Sequence, residues 1–168
     1  LLPVYHTVSN ERIPHVVNVF PYRNVRQFEN DLDFFQKYYN PVSLDDLVRS
    51  VRGNGRLPER SFLLTFDDGY REIAEVLAPI LRRRSLPAVF FLNSAFIDNK
   101  ELFYRNKASI LAERLNASCS NGMLKELNVI FHSEKQTPDD IRSLILGTSY
   151  NNRYLLDKAA EVLEVDFE

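Results

Sequence analysis

The chain has 168 residues, 45% of them hydrophobic and 26% charged, the composition of a folded domain with a core of its own. Its 21 basic and 23 acidic side chains leave a formal charge of −2, so nothing in the charge calls for nucleic acid or an anionic membrane as partner. A single cysteine, Cys119, excludes an internal disulfide framework and a cysteine-rich zinc site, and no apolar run reaches the roughly 18 residues of a membrane span. No secretory leader is visible, the first residue is Leu1, and the location of the protein is left open.

In chain order, Leu1 to Tyr5 is a short apolar run that reads as a buried strand, with His6 as the polar residue at its tip. Val25, Phe28, Leu32, Phe35 and Tyr39 recur at three and four residues, which predicts an amphipathic helix that Pro41 cannot continue. A second helix starts at Ser43, whose hydroxyl caps a first turn containing Asp45 and Asp46. Leu44, Leu47, Val48 and Val51 form its stripe, and Gly53 ends it. Ser61 to Phe66 and Leu86 to Leu92 are nearly continuous in apolar and β-favouring residues, as parallel strands covered on both faces should be. Between them Ile73, Val76, Leu77, Ile80 and Leu81 predict a helix that Pro79 should kink or shorten. Strand, helix, strand implies a right-handed crossover in an α/β sheet or barrel.

After Asn99 the pattern is helical: Leu102 to Leu115, a polar break from Asn116 to Gly122, and a strong helix start at Thr137-Pro138-Asp139-Asp140. A last helix spans Tyr150 to Leu163, with Tyr154, Leu155, Ala159, Val162 and Leu163 on one face that needs a partner surface. Residues 1–98 are therefore read as an α/β portion and 99–168 as a mostly helical insertion or extension. A partial sheet leaves an edge to be covered, either by the last helix or by a second copy of the chain.

The chemistry is concentrated in Thr65-Phe66-Asp67-Asp68-Gly69-Tyr70. Adjacent carboxylates after a buried strand are costly, because each is desolvated and repels the other. Gly69 permits a sharp departure from the strand, at the end where α/β folds build ligand sites. One carboxylate can hold a divalent metal while the other takes a proton from a water. The plainer alternative is that Asp67 or Asp68 caps the helix that starts near Tyr70. Cys119 reads as a loop or core residue, and Tyr22, Tyr38, Tyr39 and Tyr104 offer ring faces for stacking on a ligand or for packing.

Thr65 to Tyr70 resembles the first motif of the polysaccharide deacetylase family, carbohydrate esterase family 4. Val4-Tyr5-His6, then Phe28 with Leu32, resemble the family's opening strand and the helix after it. The Pro41 to Leu47 turn, Leu77 to Leu81 and Leu86 to Leu92 resemble its later segments in the family's order. The resemblance implies an incomplete, distorted (β/α) barrel and a hydrolase that removes acetyl groups from a carbohydrate polymer. It implies Asp67 as general base and Asp68 as ligand of a divalent metal, zinc by family resemblance. His6 and Tyr70 would contact substrate or stand just behind the site. The family's paired-histidine segment has no match: the histidines are His6, His15 and His132, and Gln136 and Thr137 stand where a partner of His132 would be needed. The expectation is thus an N-terminal part of such an enzyme, itself inactive and with its metal absent or weakly held. Two other readings compete with it. One is an inert carbohydrate-binding or scaffold domain of the same fold. The other, Mg²⁺-dependent phosphate chemistry, lacks a glycine-rich phosphate loop.

Overall fold

Apolar side chains three and four residues apart find their partners in two separate cores in this computed structural model, which describes residues 1–167, the Asn99 side chain excepted. One compact unit comprises Leu1–Arg12 and Tyr22–Ser94, the other Ile13–Pro21 and Ala95–Glu168.

In the first unit the elements are β1 (Val4–Tyr5), α1 (Val25–Tyr38), β2 (Asn40–Pro41), α2 (Leu44–Val51), β3 (Ser61–Phe62), β4 (Leu64–Asp68), α3 (Ala78–Arg83) and β5 (Ala88–Leu92). β4 is the centre of a parallel sheet ordered β1-β4-β5, and β2 pairs with β3 in a second parallel sheet. Among the described residues the strands are parallel and do not close a barrel. The run Ser61 to Phe66, expected as one strand, serves both sheets. Its backbone groups point alternately to either side, so Phe62 O accepts from Val42 N–H at 2.9 Å while Leu63 N–H donates to Leu1 O at 3.2 Å. Pro41, which stops α1, is tolerated in β2 because that strand is short and needs no donor there.

Phe28, Leu32, Phe62, Leu64, Phe66 and Leu77 are fully buried here, with Ile80 and Leu81 nearly so. α1 is fixed by a capping box between Asn24 and Gln27, and buries Phe28 and Leu32. α2 also has a capping box, Ser43 with Asp46, but its expected stripe finds no core. Leu44 is 47% and Val51 80% exposed, and no residue of the helix is buried. Its ends, not its face, specify it. Pro79 falls in the first turn of α3. A π turn over Ile73–Leu77 runs into α3, with Ala78 N–H donating to Ile73 O, and the wider turn accommodates the missing proline donor. Arg83 and Arg84 bond to Glu29 and Asp33 of α1.

The second unit contains α4 (Tyr104–Ala117), α5 (Asn121–Ile130), α6 (Pro138–Leu146) and α7 (Tyr154–Leu163). α5 occupies part of the expected polar break. Ser120 caps it by accepting from Met123 N–H, and Leu127 anchors it. α7 starts after a separate 3₁₀ turn at Tyr150–Asn152, and its buried residues are Leu156, Ala159, Ala160 and Leu163. Tyr154 is 54% exposed, so the face is rotated from the one expected. The adjacent alanines allow close helix contact, and the partner surface is this unit's own core of Leu111, Leu115, Leu127, Ile141 and Ile145. Asn18 bonds to the buried Ser109, to Glu113 and to Arg142, which ties Ile13–Pro21 to α4 and α6. Among the described residues no helix is long and apolar enough to cross a membrane.

Candidate active site

The register of the three-stranded sheet dictates which side chains meet. Tyr5 of β1 pairs with Phe66 of β4, so the next residues, His6 and Asp67, leave their strands side by side. His6 Nε2 lies 3.9 Å from Asp67 Oδ2, and both side chains are 38% exposed. Parallel strands place both C-terminal ends on one side, where solvent reaches them. On the other flank Asp67 pairs with Phe91 and Asp68 with Leu92 of β5.

β4 runs through both aspartates before it breaks. Asp68 has φ +71° and Gly69 φ +82°, and Gly69 N–H donates to Asp67 O at 2.9 Å. These are the marks of a γ turn centred on Asp68, a strained conformation that costs about 1–3 kcal/mol. Aspartate tolerates positive φ better than most residues. Gly69 is required by its φ, which suits glycine; a Cβ there would also stand 2.8 Å from Cδ2 of the exposed Leu92 side chain, which can turn aside. The reversal therefore occurs at Asp68 and Gly69 together. Tyr70 follows half-buried, and its carbonyl accepts from Ile73 N–H at 2.9 Å at the start of the next helix.

Below the tips the site rests on stacked rings. Phe66 lies between Tyr5 (5.8 Å, 27° interplanar) and Phe90 (5.1 Å, 18°), and Phe28 meets Tyr5 edge-on at 5.0 Å. The Tyr5 hydroxyl donates to Asp31 Oδ2 at 3.0 Å, and Arg23 Nε donates to the same oxygen at 3.1 Å. Burial, then the Asp31 carboxylate beside it, pushes the Tyr5 phenol above its usual range. Sequence reading passed over Asp31 and Arg23. The available signal was an acid one turn from Phe28 on the helix that packs against β1.

The other candidates do not join this cluster. His132 is an exposed residue of the helical unit at φ +49°, just after α5. Cys119 is half-buried against that unit's core, and burial raises its thiol pKa. Among the described residues no group of three His, Cys, Asp or Glu side chains could hold a metal ion. His6 and the Asp67 carboxylate thus meet at one strand-end mouth, with Asp68 the next residue of β4, and this donor set does not fit a complete metal site.

Residues 54–127 match the family model described as polysaccharide deacetylase. The chain is 38% identical over 60 residues to a poly-beta-1,6-N-acetyl-D-glucosamine N-deacetylase of Escherichia coli strain K12. That match covers 36% of this chain and 9% of the relative's length. The protein of the same description from Escherichia coli O157:H7 matches to the same extent. Among solved structures, a de-N-acetylase from Aggregatibacter actinomycetemcomitans is similar with a TM-score of 0.52 and 28% identity, over 61% of this chain and 41% of that one. The chain spans less than half of each of these relatives. The segment that matches the polysaccharide deacetylase model contains β4 with Asp67 and Asp68, the γ turn and β5.

Proposed function

We propose that this chain supplies the catalytic mouth of a hydrolase that removes acetyl groups from an N-acetylated carbohydrate polymer. On this reading 1–98 is the N-terminal part of the deacetylase barrel and 99–168 a helical insertion. The carrying observation is Asp67 and Asp68 at the tip of the central strand, with His6 3.9 Å from Asp67. Asp67 takes a proton from water as its oxygen bonds to the acetyl carbon. The C–N bond then breaks, and the sugar nitrogen leaves as an amine after receiving a proton. On this reading His6, 3.9 Å from Asp67, gives that proton. Tyr70, next along the chain, contacts the sugar or backs the site. The products are acetate and a free amino sugar.

Asp68 is the ligand this chain would offer to a divalent metal, zinc by family resemblance. Among the described residues no further side chains join it in a group that could hold the ion. The remaining ligands would come from protein outside these 168 residues, and the chain alone would show little activity. The test is acetate release from β-1,6-linked N-acetylglucosamine oligomers by the whole protein that carries this chain. Asp67→Asn is expected to lower kcat by about 10²–10⁴-fold, the usual share of a general base, with the melting temperature unchanged. Unaltered turnover in that variant would overturn the assignment.

A second reading, a sugar-binding scaffold of the same fold, is favoured by the short donor set. It requires oligomer binding that neither Asp68→Asn nor metal chelation weakens, together with no acetate release from the whole protein.

A further inference from the structure

His6 follows a strand of only two residues, Val4–Tyr5, which by itself would not hold a side chain to within an ångström or so. The chain on either side is fastened separately. Before it, the Tyr5 ring is clamped between Phe28 and Phe66, and its hydroxyl donates to Asp31 Oδ2. After it, Val8 bridges to Arg23, and Ser9 N–H donates to Arg23 O at 3.1 Å. Arg23 closes the loop: its Nε donates to the Asp31 oxygen that Tyr5 uses, at 3.1 Å. One carboxylate oxygen on α1 therefore joins both attachments of the segment that carries His6.

We infer that Asp31 is a positioning residue for the catalytic mouth, holding His6 against Asp67 through Tyr5 on one side and Arg23 on the other. The inference rests on the proposed function for its importance, but its geometry is independent of it. The Asp31 carboxylate is 27% exposed, too sheltered for a chance surface pair, and a phenol with a guanidinium on one oxygen is more than packing requires. A residue that only filled space would be replaceable by any side chain of similar size.

The test reads the His6 ring directly. In isotope-labelled protein, Asp67→Asn should shift the His6 ring signals, because the two side chains are neighbours. That response should be lost in the Tyr5→Phe and Asp31→Ala backgrounds. It should be retained in Asp31→Asn, whose amide oxygen still accepts from the Tyr5 hydroxyl. Tyr5→Phe keeps the stacked ring and guards against simple misfolding in Asp31→Ala. In the whole protein the same two variants should lower kcat by about 10²-fold with KM little changed, the effect of displacing a reacting group. His6 signals that respond to Asp67→Asn equally in all backgrounds would overturn the role of Asp31. Absence of acetate release from the unaltered protein would instead sink the proposed function and leave the ring measurement to decide Asp31.

Discussion

The two units of this chain are built on opposite principles. The sheet unit packs rings, with Phe28, Phe62 and Phe66 fully buried, and leaves His6 and Asp67 more than a third exposed at its strand ends. It also keeps an aspartate and a glycine at positive φ beside those tips. The helical unit packs aliphatic side chains, chiefly Leu111, Leu115, Leu127, Ile141, Ile145 and Leu156, all within 1% of full burial. Ser109, one of its buried polar residues, both donates, to Pro14 O at 2.6 Å, and accepts from Asn18. Half-exposed titratable groups stand at the strand tips where chemistry is proposed, whereas positive φ is found in both units, at Asp68 and at His132 and Glu164.

The sharpest way to break this contrast is to remove a helical-unit core side chain. Leu111→Ala should cost about 2–5 kcal/mol, seen as a lower denaturation midpoint by circular dichroism. A comparable loss from Asp67→Asn would show that the strand tip is structural after all.

A smaller effect is expected at the turn. Gly69→Ala should destabilise by more than about 1 kcal/mol, since the new Cβ meets Leu92 and the residue must hold φ +82°. Adding Leu92→Ala relieves the contact but not the backbone cost, so stability should return only in part. Full recovery in chemical denaturation would show that crowding alone makes glycine necessary.

The smallest effect concerns α2, which its caps specify. Hydrogen bonds from the Ser43 side chain and backbone, then from Arg49, lower the Asp46 carboxyl to about 2. A carboxyl depressed on folding stabilises above its ordinary pKa near 3.8 and loses that contribution as pH falls through about 2. A carboxyl titration followed by NMR should show this midpoint, and Ser43→Ala should raise it. An unchanged midpoint in that variant would remove the capping box as the cause.

Much of the mouth was legible in the sequence. An apolar run ending in His6 and another ending in Asp67-Asp68-Gly69 predict parallel strands whose tips share a side, and the register brings His6 to Asp67. The turn was only half legible, because aspartate adopts positive φ too seldom for sequence to demand it at position 68. α5 was missed because Ser118, Ser120, Asn121 and Gly122 read as a break, although Ser120 is the cap and Met123, Leu124 and Leu127 carry helical spacing.

What the sequence alone determined are the features written in local periods and end signals. These are the caps at Asn24, Ser43 and Thr137, the buried run at β4, and the acids at its end. Only the tertiary structure decided which strand each half of Ser61 to Phe66 would pair with. It also decided that the α7 stripe would be Leu156, Ala159, Ala160 and Leu163, that Asn18 would hold Ile13–Pro21 to α4 and α6, and that Tyr5 and Arg23 would share one oxygen of Asp31. The physical reason is that a period or a cap is a property of neighbouring residues. A hydrogen bond between Asn18 and Arg142 spans 124 positions, and exists only once packing has brought the two side chains together.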